Sequence, residues 1–484
     1  MNKHHESLLR RTKIIATLGP ATDDPHVLRS IIEAGVNVVR LNFSHGTFSD
    51  HQTRVTQVRT IAKELGVTIG ILGDLQGPKI RVANFESGSI ELKEGDAFTL
   101  DASWDSDLGN QERVGIDYKE LPGDVSTDDT LLLDDGRISM RVVQVKGDAI
   151  SCEVINGGTL SNHKGINRLG GGLNAKALTE KDRQDIHYAI ELDVDFLAVS
   201  FPRNADDLHE ARQIMVSHNG NAGIIAKIER AEAIECIDEI IKASDGVMVA
   251  RGDLAVEIGA AEVPLVRKRI IVQARTLNKP VIVATQMLES MIHEPVPTRA
   301  EVSDVANAAL ENVDAVMLSA ETAAGQYPIE SVQTMSNVCL RIERQPEAQQ
   351  SRHRMHTEFG RVDEAIAMAA MYTANHFEVS AIVALTETGS TPLWMSRLRT
   401  AIPIYGLTRF ARSLGKMTLY RGVYPFYFDV TECTREEMNR KAIAALTEGG
   451  ILKDSERVVL TKGDHVGVGG GSNAMKIIEV GRVL

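Results

Sequence analysis

The chain holds 484 residues, of which 43% are hydrophobic and 25% charged, and it carries a net charge of -13. That length excludes a single small module and corresponds to roughly three domains of ordinary size, while the composition is that of a chain able to bury large cores rather than a disordered tail. The acidic balance is a poor footprint for nucleic-acid binding, and Cys152, Cys236, Cys339 and Cys433 are scattered without a Cys-x-x-Cys pair, which argues against a zinc site or a disulfide framework.

From the N-terminus, MNKHHESLLRRTK lacks the apolar stretch of a secretory signal, and no run in the chain approaches the roughly 18 apolar residues of a membrane span. The expectation is a cytoplasmic protein with neither membrane nor nucleic-acid partners. Three short apolar runs follow, KIIATLG, VNVVRLNFS and TIGILGDL, separated by stretches of helical periodicity. In the second, alternation predicts Arg40, Asn42 and Ser44 on one side of an extended segment, where guanidinium, amide and hydroxyl suit an oxyanion. The other reading of these residues is turn and capping chemistry.

Residues 76–170 change texture. Period-2 alternation in SIELKEGDAFTL and RISMRVVQVKGDAISCEVI, with the turn signals LPGD, LDDGR and NGG, predicts a small all-β domain, a β-barrel lid. Its hinges are expected near Gly77-Pro78 and Gly170-Gly171-Gly172. Asp74, Lys79 and Arg81 in GDLQGPKIR stand beside the first hinge, either coupling lid position to bound charge or forming surface ion pairs.

Five further apolar runs then complete a series of eight: VDFLAVSF, GIIAKIE, GVMVARGDL, VIVATQM and AVMLSAET. Each starts apolar and most end in a polar or charged residue. Strands buried on both faces, with chemistry at their C-terminal ends, predict a (β/α)8 barrel over 1–75 and 171–345, interrupted by the lid. Lys227 and Glu229 end the fifth run and Asp253 follows the sixth. Two carboxylates leave room on Mg²⁺ or Mn²⁺ for water and substrate oxygens, and a lysine beside them suits a transferring phosphoryl group. A rim salt-bridge network is the alternative. Thr285 and Ser319, after the last two strands, are suited to orient a water or relay a proton, although buried hydroxyls more often satisfy backbone groups.

The polar stretch RIERQPEAQQSRHRMHTEFG reads as a boundary. Beyond it, over 346–484, SAIVALTETGST, IPIYGLT and RVVLTKGD alternate with helical segments, the pattern of a three-layer α/β domain with a mainly parallel sheet. TETGST offers hydroxyls and amides suited to a phosphate if it leads into a WMSRLR helix, and is otherwise an ordinary helix start. GxxxxGK[ST], GxGxxG and HExxH are absent, and GVGGGSN lacks the dinucleotide spacing.

In order, TLGPA, RLNFSHG, GDLQGPKIR, AKIERAEAI, MVARGDLAVEI, ATQMLESM, PTRAEVSDVANA and DAVMLSAETAAGQYP resemble the signature series of the pyruvate kinase family, from about Arg11 to the C-terminus. The resemblance implies phosphoryl transfer from phosphoenolpyruvate to ADP, giving ATP and an enolpyruvate protonated to pyruvate. By motif matching it implies Glu229 and Asp253 as Mg²⁺ ligands, Lys227 on the phosphoryl in flight and Arg40 on the substrate phosphate. The Gly252 and Asp253 amides with Thr285 would hold the carboxylate, with Thr285 and Ser319 as the proton route. Pro20, Asn42, His45, Arg81 and Lys181 match nucleotide-site positions.

Asn42, Ser44, Asp74 and the Leu75 carbonyl match the family's K⁺ ligands. K⁺-requiring members usually carry glutamate in GPEIR where this chain has Lys79, so K⁺ is expected to be dispensable. In the effector loop Thr386, Glu387, Thr388, Ser390 and Thr391, Glu387 replaces a lysine common in bisphosphate-regulated relatives. That predicts a phosphorylated effector with one phosphate, a sugar monophosphate or AMP. The family also implies a homotetramer, with PTRAEVSDVANA in one contact. Competing functions are a barrel lyase or aldolase forming a metal-bound pyruvate enolate, and a non-catalytic metabolite sensor.

Overall fold

The computed structural model describes residues 9–349, 358–432, 434, 436–464 and 470–482. Cys433, part of the polar boundary stretch and part of GVGGGSN lie outside these. Eight strands close a barrel: β1 (Lys13–Thr17), β2 (Val38–Asn42), β3 (Gly70–Asp74), β4 (Phe196–Val199), β5 (Gly223–Ile228), β6 (Gly246–Ala250), β7 (Val281–Ala284) and β8 (Ala315–Leu318). All neighbours are parallel, with β1 paired to both β2 and β8. The eight apolar runs therefore supply the eight staves, and the chain is a (β/α)8 barrel with an inserted β domain and a C-terminal α/β domain.

The pleat explains how polar residues reach the mouth. Ile14, Ala16, Val39, Leu41 and Ile71 pack outward against the helices, whereas Ile15, Val38, Leu72, Ala198, Ile225 and Met248 pack together inside. Continuing that inward parity by two residues arrives at Thr17, Arg40, Asp74, Ser200 and Lys227. Register brings them level: Thr17 pairs with Arg40, Arg40 with Leu72 and Asn42 with Asp74, and Asp74 with Ala198. Ser44 does not share this geometry, because β2 ends at Asn42 and Ser44 lies in the following turn. The Asn42 amide oxygen accepts the Ser44 N–H at 3.2 Å, closing that turn.

Between β3 and β4 the inserted segment forms a six-stranded sheet and a two-stranded sheet, with isolated bridges such as Arg81 to Gly165 outside their strands. Where a small barrel is expected, the ladders are these two sheets. On the first connection Gly77 has φ +69°, and a Cβ there would lie 2.7 Å from the Ser200 side chain; its N–H donates to Asp182 Oδ1 at 3.0 Å. On the second, Gly170, Gly171 and Gly172 all have positive φ. Gly170 donates to the Glu257 carbonyl at 2.8 Å and Gly172 to the Glu232 carboxylate.

The C-terminal domain holds β9 (Ala381–Leu385), β10 (Ile404–Thr408), β11 (Val423–Tyr427), β12 (Arg457–Gly463) and β13 (Ser472–Glu479) in the order β11-β10-β9-β12-β13. Only β13 is antiparallel. This domain docks at the N-terminal ends of the barrel strands through buried charge. Arg397 pairs with Asp314, which also accepts the Arg421 N–H at 3.0 Å. Glu343 takes the Arg11 and Thr12 amides and lies 3.3 Å from the Arg421 guanidinium. Lys13 donates to the Val423 carbonyl at 2.5 Å, and burial pulls its ammonium down to about 7. Helix Ala411–Met417 approaches without side-chain padding: a Cβ on Gly415 would lie 1.7 Å from Asp195 Oδ1, and one on Gly70 2.3 Å from Thr418 Oγ1. No helix among the described residues is long and apolar enough to cross a membrane.

Glu257, buried beside the second hinge, accepts the Ala231 N–H at 2.9 Å, yet burial raises its carboxyl from the ordinary 4.5 to about 7. The folded chain thus keeps a proton that the unfolded chain releases between those values. This stabilisation is present in acid and is lost as pH rises through about 7. Replacing the carboxyl by an amide removes that dependence, so the Tm of Glu257→Gln relative to wild type is expected to climb from pH 5 to 7.5. A pH-independent difference would contradict the assignment.

Candidate active site

Asp74 is fully buried at the end of β3 and joins two cations. Its Oδ2 accepts Arg40 Nε at 2.6 Å, and its Oδ1 lies 3.3 Å from Lys227 Nζ. Burial pushes this carboxyl up, but Lys227 and then Arg40 more than offset it and hold it below the usual carboxylate range. Arg40 also donates to Thr17 Oγ1 at 3.1 Å, so the guanidinium is clamped on two sides.

Lys227 is the hub. Its ammonium donates to Ser200 Oγ at 2.7 Å and lies 3.0 Å from Glu229 Oε1. Ser200 in turn donates to the Leu75 carbonyl at 2.7 Å. Burial works against the charge on Lys227, yet Asp74 and Glu229 hold its pKa above the ordinary lysine value. Glu229 is pushed up as well, first by burial and further by Asp253 and Asp74, with Lys227 opposing, so its charged form is the disfavoured one. Its Oε2 accepts the N–H of Phe201, whose φ of +53° turns the amide inward. Two carboxylates thus flank one ammonium, Asp253 adds to the repulsion on Glu229, and an added cation relieves it.

Asp253 sits in the first turn of helix Arg251–Ile258. Its Oδ1 is 3.3 Å from Lys79 Nζ, which also lies 3.5 Å from Asp135 of the lid. The three charges of GDLQGPKIR do not form one cluster. Asp74 joins the barrel hub and Lys79 bridges barrel and lid. Arg81 stays in the lid, taking Asp117 Oδ1 at its N–H and donating to the His163 carbonyl at 2.8 Å. No three His, Cys, Asp or Glu side chains among the described residues converge into a metal cage. A divalent cation held by Glu229 and Asp253 would complete its shell with water and substrate oxygens, a donor set suited to Mg²⁺.

Thr285 and Gln286 have φ of +65° and +52°. Arg251 holds this left-handed corner by donating to the Thr285 carbonyl and, at 3.1 Å, to that of Gln286. Thr285 Oγ1 accepts the Gly252 N–H at 2.9 Å, so the amide expected to face a substrate carboxylate is engaged here by the neighbouring hydroxyl. Ser319 donates its N–H to Glu321 Oε2 at 2.6 Å, and Glu321 Oε1 accepts the Leu288 N–H at 3.2 Å, which ties the seventh and eighth loops together.

Pro20, in a 3₁₀ turn, and His45, in the turn after β2, occupy loops at the same end of the barrel. Lys181 reaches the turn after β2 from the helix after the lid, donating to the Phe43 carbonyl at 2.7 Å and pairing with Asp185. In the C-terminal domain the helix after β9 starts at Ser390, earlier than the WMSRLR reading, because Gly389 at φ +81° makes the turn. Thr386, Glu387, Thr388, Ser390 and Thr391 line one pocket with Arg409 and Lys462.

Sequence reasoning missed Ser200, Asp135, Arg409 and Lys462. Ser200 was within reach of inward parity from Phe196 and Ala198. The other three, Asp135 and Arg409 in loops and Lys462 near the end of β12, meet their neighbours across long sequence separations that no local pattern connects. Ser200→Ala is expected to lower stability by about 1–3 kcal/mol, because the Leu75 carbonyl and Lys227 lose a buried partner. Urea unfolding checks this, and an unchanged midpoint would mean that water replaces the hydroxyl.

Comparison with known proteins gives two family matches, "Pyruvate kinase, barrel domain" over residues 9–332 and "Pyruvate kinase, alpha/beta domain" over residues 364–478. The chain is 55% identical to the pyruvate kinase of Haemophilus influenzae, over 94% of this chain and 96% of that one. It is 52% identical to pyruvate kinase II of Salmonella typhimurium and to the pyruvate kinase of Buchnera aphidicola from Acyrthosiphon pisum, in each case over 98% of this chain and 99% of the relative.

Proposed function

The chain belongs to the pyruvate kinase family of phosphotransferases, and on that premise we propose how its own residues carry the reaction. Residues 1–75 and 171–345 perform the chemistry, 76–170 cover it and 346–484 regulate it. The observation that carries this reading is the ammonium of Lys227, held among Asp74, Glu229 and Ser200 at the C-terminal end of the barrel.

Phosphoenolpyruvate binds with its phosphate on Arg40 and Lys227 and its carboxylate on the Gly252 and Asp253 amides. Thr285 must release the Gly252 N–H for this, and its freed hydroxyl then faces the substrate. The phosphorus–oxygen bond to the enol breaks as a bond forms to a β-phosphate oxygen of ADP, giving ATP. Lys227, desolvated and prepositioned, stabilises charge on the phosphoryl in flight. Glu229 and Asp253 would hold Mg²⁺ (or Mn²⁺), which when bound neutralises charge on the phosphoryl and substrate oxygens. The enolpyruvate takes its proton at carbon through water ordered by Thr285, with Ser319 as the next hydroxyl. Pro20, Asn42, His45, Arg81 and Lys181 line the nucleotide side.

Lys79 supports the K⁺-independent reading, since it brings a fixed ammonium to Asp253. Asn42, Ser44, Asp74 and the Leu75 carbonyl remain as the monovalent-cation positions. Arg409 and Lys462 supply positive charge for one effector phosphate, while Glu387 opposes a second. A homotetramer is supported by Leu265 and Val296, each 68% exposed near the PTRAEVSDVANA helix. The charged substrates are metabolites retained inside cells, which argues for the cytoplasm.

Pyruvate formation from phosphoenolpyruvate, ADP and Mg²⁺ tests the chemistry. Lys227→Ala is expected to lose about a hundred- to thousandfold in turnover, and replacing K⁺ by tetramethylammonium should leave wild-type activity nearly intact. Absent pyruvate would favour an enolate lyase or a sensor, and collapse without K⁺ would refute the role of Lys79. A separate titration should find activation by AMP or a sugar monophosphate and none by a sugar bisphosphate, with Glu387→Lys gaining the bisphosphate response.

A further inference from the structure

Lys13 opens strand β1 at the N-terminal end of the barrel, is 1% exposed and takes no part in the phosphoryl transfer. Its two partners are neutral. The Nζ donates to the Val423 carbonyl at 2.5 Å and lies 4.5 Å from the centre of the Tyr424 ring, whose hydroxyl in turn donates to the Arg10 carbonyl at 3.2 Å. The carboxylates of this seam have cations and amides of their own: Asp314 is paired with Arg397 and the Arg421 N–H, and Glu343 with the Arg11 and Thr12 amides and the Arg421 guanidinium.

Arg10 brings a second buried cation. Four acceptors fix its guanidinium: the Thr12 carbonyl at 2.6 Å, Ser336 Oγ at 2.8 Å, and the Gly35 carbonyl and Asn37 Oδ1 at 2.6 Å each. Lys13 and Arg10 both line a cavity of about 380 Å³ between the barrel and the C-terminal domain, walled by Ile32, Val36, Ile69 and Phe426. Burial is the main force that pulls the Lys13 ammonium down to about 7, and Arg10 adds to it; Glu343 and Asp314 oppose, and Arg421 gives a smaller push downward. An amine desolvated beside another cation is a nucleophile near neutral pH.

We propose that Lys13 is a carbon dioxide site, at which the amine becomes a carbamate paired with Arg10. The inference is independent of the chemistry at the barrel mouth. The neutral Nζ attacks the carbon of CO₂: a nitrogen–carbon bond forms, one carbon–oxygen π pair moves onto oxygen, and a proton leaves the nitrogen for solvent. The step needs no oxidant, metal or further reactant. The carbamate nitrogen keeps one N–H, enough to hold the Val423 carbonyl, while its carboxylate turns into the cavity toward the Arg10 guanidinium. Two like charges thereby become an opposite pair. CO₂ is small and apolar, which suits the aliphatic walls. Because the neutral amine is the reacting form, the carbamate accumulates above about pH 7 and is lost as pH falls below it.

The test equilibrates the full chain with isotope-labelled CO₂ and bicarbonate at pH 7.5, fixes carbamates as esters with a trialkyloxonium salt, and maps the label by peptide mass spectrometry. Lys13 should carry about a hundredfold more label than the exposed lysines. Lys13→Arg keeps the charge but forms no carbamate, and its peptide should be unlabelled. Arg10→Gln, which removes the partner of the carbamate, should lower the label on Lys13 about tenfold. As a second readout, CO₂ at constant pH and ionic strength should raise the Tm of wild type by about 1–3 °C and leave that of Lys13→Arg unmoved. Wild-type label confined to the N-terminal amine, or no higher on Lys13 than on exposed lysines, would overturn the proposal whether or not the variants fold. Label on Lys13 without a rise in Tm would overturn the pairing with Arg10.

Discussion

Asp74 has both carboxylate oxygens committed, one to Arg40 and the other facing Lys227, and it sits where water does not reach. In such a place a lone charge is costly, so each cation depends on this anion and the anion depends on both. The arrangement fixes the directions of a guanidinium and an ammonium before any substrate arrives. A phosphorylated substrate then meets donors already oriented, and little reorganisation remains for the reacting step. Glu229 extends the same logic. Held against Lys227 and the Phe201 amide, it is aimed by its partners yet crowded by two other carboxylates, and added positive charge relieves that crowding.

The two ends of the barrel treat charge differently, although the same pleat places residues at both. At the C-terminal end inward parity delivers Thr17, Arg40 and Lys227 to an open mouth. At the N-terminal end the same parity delivers Lys13 into the C-terminal domain, where it meets a carbonyl and the ring of Tyr424. Asp314, Arg397, Arg421 and Glu343 complete a buried network there. One end uses ionic groups to hold a ligand, and the other uses them to hold a domain.

How much was legible in the sequence follows from range. The eight staves were readable because each is a run of consecutive apolar residues, and the polar strand ends because the pleat has a fixed period. Lys227 and Glu229 could be placed at the mouth from that period, and Asp253 beside them because it directly follows the sixth strand of a parallel barrel. Ser44 was misplaced because alternation was carried past Asn42, where a side-chain hydrogen bond turns the chain. The helix of the C-terminal pocket starts early because a glycine in a left-handed conformation permits it. Asp135, Arg409 and Lys462 were invisible because each meets its neighbours only through the tertiary packing of segments distant in sequence.

The seam between helix Ala411–Met417 and the barrel is built from absences. Gly415 and Gly70 lack the side chains that would cushion the contact, and Asp195, pressed against Gly415, also accepts the Ile71 N–H at 2.8 Å on strand β3. Two residues before Gly415, the Ser413 hydroxyl donates to the Glu387 carbonyl at 2.7 Å and ties the same helix to the pocket loop. Strand β3 ends in Asp74. Packed backbone transmits displacement with little loss, since interiors this dense are nearly incompressible. The pocket loop, the helix and the stave bearing Asp74 are therefore joined by consecutive close contacts, a hard seam rather than a cushioned joint.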